Sequence, residues 1–142
     1  MSFAEGLTNL KHLYVASWAA QSFTVIDDFS SLQNLTNLEQ VQFDAVYVSN
    51  LDFLRNFRKL KRFRMWTRAA LECIRGLENA TLMEHLELVS DMKCPHLDLE
   101  PIQDMALLER VILPSKSLWE KNSTLRNKWF RNDVEVGWGK VA

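Results

Sequence analysis

The side chains in this chain that could do metal chemistry are few and far apart. Cys94 and His96 lie two residues apart in the segment "CPH" and could supply two ligands. A zinc site usually takes three or four such ligands. Cys73, the other cysteine, lies 21 residues before Cys94, so we expect Cys94 to be a small buried thiol and His96 a surface residue. The sequence therefore predicts no metal site.

Motifs for catalysis are also missing. The chain has only four glycines, and none of them forms a phosphate-binding loop of a known pattern. Serine, histidine and aspartate occur in no sequence context that indicates an activated nucleophile. We therefore predict that the protein is not an enzyme and binds no cofactor.

One segment suits protein recognition instead. Tryptophan, tyrosine and arginine are the residue types most enriched at the energetic centres of protein interfaces. Residues 55–68 contain Trp66 and seven basic residues. Whether these side chains share one surface depends on the elements that carry them. The basic residues are Arg55, Arg58, Lys59, Lys61, Arg62, Arg64 and Arg68.

A repeated apolar pattern indicates what these elements are. Five segments place four apolar residues at relative positions 0, 3, 6 and 8, and successive segments start 28, 22, 23 and 25 residues apart. The final apolar-x-apolar pair has the period of a strand with one buried face. The apolar residues before it recur every three, which favours helical or 3₁₀ turns. The segments start at Leu7, Leu35, Phe57, Ala80 and Met105, and a degenerate sixth ends in Val134 and Val136.

Short strands alternating with returning turns, in units of about 22 residues, resemble the short-repeat class of the leucine-rich-repeat family. The resemblance covers Leu7 to Leu113 and implies an α/β fold, a right-handed solenoid. A parallel sheet of five or six short strands would form its concave face, and helical or 3₁₀ turns its convex face. The alternative is an α/β fold in which strands and longer helices alternate. We predict one domain over residues 1–142, with repeats at 7–34, 35–56, 57–79, 80–104 and 105–127 and a C-terminal cap at 117–142.

The chain departs from the family pattern at one position. The consensus L-x-x-L-x-L-x-x-N places Asn or Cys three residues after the last strand Leu, and we expect the usual side-chain ladder of the loops to be missing here. In the cap, Ser117 is predicted to begin a short helix. The consensus position holds Trp18, Val46, Arg68, Asp91 and Lys116, and the residues expected to close the core are Trp119, Trp129, Phe130 and Trp138.

The strand residues between the buried pairs are predicted to line the concave face. In register, Arg64 lies between Gln42 and Glu87, and Trp66 lies between Asp44 and Val89. The predicted protein-binding residues are Tyr14, Arg62, Arg64, Trp66, His85, Glu87 and Arg110.

A plainer interpretation of the same residues stays open. Arg64 and Glu87 would then be a cross-strand ion pair, Trp66 would pack over its neighbours, and the basic segment would be a solvated face. His12 and His85 fall in one row but three strand spacings apart, about 14 Å, which is too far to share a metal ion or a proton.

Another protein is the expected partner. The net charge is −1, and four acidic residues on the neighbouring strands flank the basic segment on both sides, so the basic column does not extend across the sheet, which disfavours nucleic acid. No apolar stretch approaches the roughly 18 residues of a membrane span. The N-terminus "MSFAEGL" lacks the pattern of a signal peptide, so we predict a cytoplasmic protein with no membrane partner. The acidic residues are Glu39, Asp44, Glu84 and Glu87.

These features predict a non-enzymatic protein-binding module. One version, by analogy of fold, is an immunity protein that neutralises a cognate bacterial toxin. The alternative function is an adaptor or scaffold that self-assembles, for example as a homodimer, through its N-terminal edge, where Phe3 and Leu7 precede the first strand. The longer first repeat, around residues 17–24, is a second expected contact site.

Overall fold

Six parallel strands lie side by side in one open sheet, and a two-residue strand joins the sheet at one end. The structure is a computed structural model that describes residues 7–16, 24–25 and 32–139. Phe3 and most of the segment 17–24, both predicted contact sites, lie outside these ranges. The strands are β1 (His12–Ala16), β2 (Thr24–Val25), β3 (Gln40–Tyr47), β4 (Arg62–Thr67), β5 (His85–Ser90), β6 (Arg110–Leu113) and β7 (Glu135–Trp138). The order across the sheet is β1-β3-β4-β5-β6-β7, with β2 paired to the end of β3.

Apolar residues at every third position build the segments that return the chain from one strand to the next. Backbone hydrogen bonds join residues three apart, as from Leu54 N to Leu51 O at 3.0 Å and from Phe57 N to Leu54 O at 3.0 Å. Because a turn of three residues brings the same face back each time, the apolar side chains all point inward. This confirms the predicted turns. Assigned 3₁₀ helices lie at Asp52–Asn56, Leu77–Asn79 and Glu100–Ile102.

The repeated apolar residues form one continuous core between the sheet and the return segments. From the second to the fifth segment, every residue of the four-point pattern is at most 7% exposed. Fully burying a Leu, Phe or Met side chain stabilises a fold by about 1.5–3 kcal/mol. Leu7, in the first segment, is instead 48% exposed, because no described strand packs beyond β1.

Two hydroxyl groups take the place of the family's asparagine ladder, although the sequence predicts that no such side-chain ladder is present. The hydroxyl of Thr67, which is buried, donates to the carbonyl of Val48 at 2.7 Å and accepts from the amide of Ala69 at 3.1 Å. Ser90, its register partner, donates to the carbonyl of Ala69 at 2.9 Å and accepts from the amide of Met92 at 3.1 Å. Each hydroxyl joins its own turn to the preceding one. A side-chain ladder is therefore present, two residues after the strand pair instead of three.

Strand β3 contains a bulge that the sequence pattern does not predict. Its register with β4 runs from Gln40 to Phe43 and resumes only at Val46, opposite Thr67. Ala45 has φ of 57°, in the left-handed region that is uncommon for a residue other than glycine. Asp44 and Ala45 together therefore lie opposite Trp66, which has no one-to-one register partner on β3, whereas on its other side Trp66 pairs with Val89 as predicted.

Two short helices, α1 (Lys116–Glu120) and α2 (Ser123–Arg131), lead from β6 to β7. Ser115, not Ser117, caps α1: its hydroxyl oxygen accepts from the Ser117 amide at 3.3 Å. Trp129 is 1% exposed and stacks on Trp119 with 5.7 Å between ring centroids. These two tryptophans close the core as predicted. No helix in the described ranges is long and apolar enough to cross a membrane.

Other residues predicted to close the core do not do so. Phe130 is 83% exposed and Trp138 is 38% exposed. Strand β7 also pairs two residues later than predicted, with Val136 opposite Val111, because α2 and a turn through Asp133 with φ of 54° occupy the preceding residues. The residues of β7 opposite the buried pair Val111 and Leu113 are therefore Val136 and Trp138, of which Val136 packs against the core.

Candidate protein-binding surface

The outward-pointing residues of the sheet form two rows that cross all six strands, and together we call them the concave face. The rows follow the predicted register from β1 to β6. On β7 they continue with Glu135 and Gly137, two residues later than predicted. All the predicted binding residues except Trp66 lie in these rows. The first row is His12, Gln40, Arg62, His85, Arg110 and Glu135, and the second is Tyr14, Gln42, Arg64, Glu87, Ile112 and Gly137.

Arg64 lies near the middle of the second row, between Gln42 and Glu87 as predicted. Its Nε is 3.3 Å from Glu87 Oε2, and its side chain is 55% exposed. An ion pair this exposed contributes only about 0–1 kcal/mol to stability. Since a guanidinium carries five N–H donors, Arg64 keeps donors available for a second molecule.

Tyr14 opens the second row and forms a small hydrogen-bonded group with Asp44 and Gln42. The Tyr14 hydroxyl and Gln42 Nε2 both donate to Asp44 Oδ2 at 3.0 Å. The hydrogen bond to Asp44, followed by burial and the negative charge of Asp44, raises the pKa of Tyr14 above its ordinary value, while Arg64 acts in the opposite sense. The phenol is therefore neutral at physiological pH, and Tyr14 is 53% exposed.

The first row carries most of the positive charge of the face. His85 Nε2 lies 3.3 Å from Glu109 Oε2, and Arg110 Nε lies 3.9 Å from Glu135 Oε1. Arg62 is exposed between Gln40 and His85. Arg62 on β4 and Arg110 on β6 are therefore exposed cationic groups, and of the two Arg110 has a carboxylate beside it.

Trp66 borders the concave face, but its polar contacts are internal. Its Nε1 donates to Asp91 Oδ1 at 2.9 Å, and the guanidinium of Arg68 lies 5.1 Å from the ring centroid. Arg68 is also 3.7 Å from Asp91. This geometry favours the plainer interpretation for Trp66, as a residue packed over its neighbours at the margin of the face.

Asp91 and Glu109 complete these side-chain contacts, and sequence reasoning missed both. Asp91 follows the last residue of β5, and Glu109 precedes the first residue of β6. Strand alternation predicts the direction of side chains only inside the strands, and both residues lie just outside them. The signal in the sequence that could have found them is an acidic residue one position beyond a strand end, beside a basic residue of the neighbouring strand or turn.

The concave face offers hydrogen bonds and ion pairs rather than an enclosed site. Its middle holds a depression of about 160 Å³, whereas small-molecule pockets usually measure about 300–1,000 Å³. Within the described residues, no group of three His, Cys, Asp or Glu side chains is placed to hold a metal ion. The chemistry available is recognition of another surface by exposed cationic, phenolic and carboxylate groups.

Comparison with known proteins identifies the fold. The structure is similar to that of an internalin from Listeria monocytogenes, with a TM-score of 0.62 and 18% sequence identity. The match covers 78% of this chain but 30% of the internalin chain. No protein-family model and no curated protein matches the sequence. The likeness, the six parallel strands and the 3₁₀ return segments show that the chain has the leucine-rich-repeat fold, as the apolar pattern predicts.

Proposed function

We propose that this leucine-rich-repeat chain is a non-enzymatic protein-binding module that recognises its partner with the concave face. The observation that carries the proposal is the double row of outward-pointing residues across six paired strands, polar at every position except Ile112 and Gly137. Side chains fixed on a sheet lose little further freedom when they bind, which favours affinity. Charged groups of both signs in one surface give partner selection and a fast encounter.

The composition of the face supports a protein as the partner. Tyr14 is an exposed aromatic residue with a polar tip, and three arginines project from the face, two on β4 and one on β6. Tyrosine and arginine are enriched at interface hot spots, where a few residues supply most of the binding energy. The arginines are Arg62, Arg64 and Arg110.

Charge reversal at Arg64 tests the proposal. The immobilised chain is used to capture partners from extracts of its native source, and the captured protein is identified by mass spectrometry and purified. Arg64→Glu is expected to weaken the affinity by about tenfold or more, since it places a like charge against the partner. The measurement is the dissociation constant by isothermal titration calorimetry.

Arg58→Glu is the matched control, because it makes the same charge change in an exposed turn outside the sheet. It should leave the affinity within about twofold of the parent. The thermal unfolding midpoint of Arg64→Glu should stay close to that of the parent, since the lost ion pair is exposed. Equal binding by Arg64→Glu and Arg58→Glu would show that the concave face is not the binding surface.

Two finer versions of the proposal differ in the partner. In the first, the chain is an immunity protein, and the captured protein is a toxin whose activity is lost in a one-to-one complex. In the second, the chain is an adaptor or scaffold that assembles through its N-terminal edge. Within the described residues β1 pairs only with β3, and Leu7 beside it is 48% exposed. Size-exclusion chromatography separates the two: a dimer dissociated by Leu7→Glu supports assembly, and a monomer contradicts it.

A further inference from the structure

One guanidinium on the concave face, that of Arg62, has no carboxylate partner among the residues that the structure describes. The other three arginines on or beside the sheet are each within 4 Å of an acidic oxygen: Arg64 of Glu87, Arg68 of Asp91 and Arg110 of Glu135. Arg62 is exposed, and no carboxylate among the described residues lies within ion-pair distance of it. Its neighbours in the first row are an amide, Gln40, and an imidazole, His85, so the nearest row positions do not neutralise it.

Arg62 also lies at the depression in the middle of the face. The floor of this depression is formed at Val41 and Phe63, which are buried. The carboxylate at its edge already has a partner, since Glu87 Oε2 lies 3.3 Å from Arg64 Nε, and the side-chain amide of Gln42 donates to Asp44. Two lining groups have no described side-chain partner: the Arg62 guanidinium, which can only donate, and the Gln40 amide, whose Nε2 can donate beside it. The lining residues are Gln40, Val41, Gln42, Arg62, Phe63, Arg64, His85 and Glu87.

The size and charge of the depression indicate what it accepts. At about 160 Å³ it is smaller than the pockets that hold free ligands, about 300–1,000 Å³, but it can admit one side chain. A guanidinium presents paired N–H donors that match the two oxygens of a carboxylate. An unpaired arginine beside an amide donor is complementary to an anionic group and repels a cationic one.

We propose that Arg62 and Gln40 form an acidic-side-chain pocket, which receives an Asp or Glu carboxylate from the bound protein. This inference rests on the proposed function, because it names the chemistry that the same face selects. Arg64 and Tyr14 would contact the partner around this pocket. Arg62 would select, by its charge, the partner side chain that enters the pocket.

Peptide display tests the inference without knowledge of the natural partner. Random peptides displayed on phage are selected against the purified chain, and clones that lose binding on Arg64→Glu but keep it on Arg58→Glu are taken as binders of the concave face. We expect these clones to be enriched in Asp and Glu over the unselected library. Arg62→Glu should weaken their binding by about tenfold or more, and Arg62→Gln should weaken it less. Changing the acidic peptide residue to Lys should restore binding to Arg62→Glu.

The outcomes separate this inference from the proposed function. Clones that need Arg64, show no acidic enrichment and bind Arg62→Glu as well as the parent overturn the acidic pocket and leave the binding face intact. Selection that yields no clone dependent on Arg64 contradicts both. A labelled single-stranded oligonucleotide that binds the parent more tightly than the acidic peptides, and is lost on Arg62→Glu, would instead assign the pocket to phosphate. Arg62→Gln, with its unfolding midpoint measured alongside, keeps the test decisive if Arg62→Glu fails to fold.

Discussion

Tyr14 and Asp44 show how a single hydrogen bond sets the protonation state of a residue on the concave face. The phenol donates to the carboxylate at 3.0 Å, so the bond exists only while Tyr14 is protonated. The fold raises the pKa of Tyr14 above its ordinary value, and the protonated form is therefore the one that the fold stabilises. By linkage, this contribution to stability is complete below the unfolded pKa and is lost as the pH rises through the folded pKa.

Replacement of Asp44 should reverse this shift. Asp44→Asn removes the negative charge, so we expect the pKa of Tyr14 to fall back toward its ordinary value. The chain has two tyrosines, and Tyr47→Phe leaves Tyr14 as the only phenol that ionises in the titration. An alkaline titration of tyrosinate absorbance, with and without Asp44→Asn, measures the change. An identical Tyr14 pKa in both backgrounds would contradict the role of Asp44.

Thr67 is the buried polar residue on which the turn after β4 depends. Its hydroxyl contacts the carbonyl and the amide of Val48 and the amide of Ala69. Thr67→Val keeps the shape but removes these bonds, and leaving buried backbone groups unpaired costs about 1–3 kcal/mol. We expect that loss in the free energy of unfolding measured with urea.

Two further variants control for lost volume and for position in the ladder. Thr67→Ser keeps the hydroxyl and should lose less stability than Thr67→Val. Ser90→Ala removes the same kind of bond from a half-buried site, where a hydrogen bond is worth about 0.5–1.5 kcal/mol. If Thr67→Val unfolds at the same urea concentration as the parent, the hydroxyl ladder contributes nothing to stability.

At the scale of elements, α1 and α2 close the open end of the core through a small number of residues. Neighbouring positions of α2 differ sharply, because Trp129 is 1% exposed and Phe130 is 83% exposed. Truncating a buried Trp to Ala typically costs about 3–5 kcal/mol, whereas exposed substitutions usually stay within about 0.5 kcal/mol. We therefore expect Trp129→Ala to lower the free energy of unfolding severely and Phe130→Ala to change it little. Similar losses from the two variants, in denaturant titrations, would contradict this account of the cap.

The regular elements could be predicted because one spacing is repeated. Positions 0, 3, 6 and 8 carry both the turn period of three and the strand period of two, so the sequence specifies the strands and their register from β1 to β6. The bulge at Ala45 leaves no trace in this spacing, since the next segment starts at an ordinary interval of 22 residues. Helix α2 and the turn at Asp133 replace the usual return segment, which is why the register of β7 was predicted two residues early.

The candidate surface was predictable as a row of positions, but not as a set of contacts. The row position of Arg64 follows from strand alternation, and Glu87 is its neighbour for the same reason. The contacts of Trp66 depend on Arg68 and Asp91, which lie beyond the strand ends and follow no alternation. The family consensus places asparagine three residues after each strand pair. Thr67 and Ser90 come two residues after it, so the consensus does not predict the hydroxyl ladder.

At the scale of the whole molecule, the strands, return segments and core combine to present one face. The return segments pull the apolar pairs of each strand inward, and the alternate residues are consequently held outward in fixed rows. Neighbouring units contact one another in sequence, so a repeat protein of this kind acts as a rigid, extended surface. The concave face is therefore the part of the molecule whose side chains are both exposed and positioned by the fold.

Hydroxyl-radical footprinting of the complex with the captured partner tests this central claim most directly. Tyr14 and His85 report on the concave face, while Leu107 and Phe130, which are 50% and 83% exposed, report on the surfaces away from it. We expect oxidation of Tyr14 and His85 to fall when the partner binds and oxidation of Leu107 and Phe130 to stay unchanged. Protection of Leu107 and Phe130, with Tyr14 and His85 still oxidised as in the free chain, would contradict recognition through the concave face.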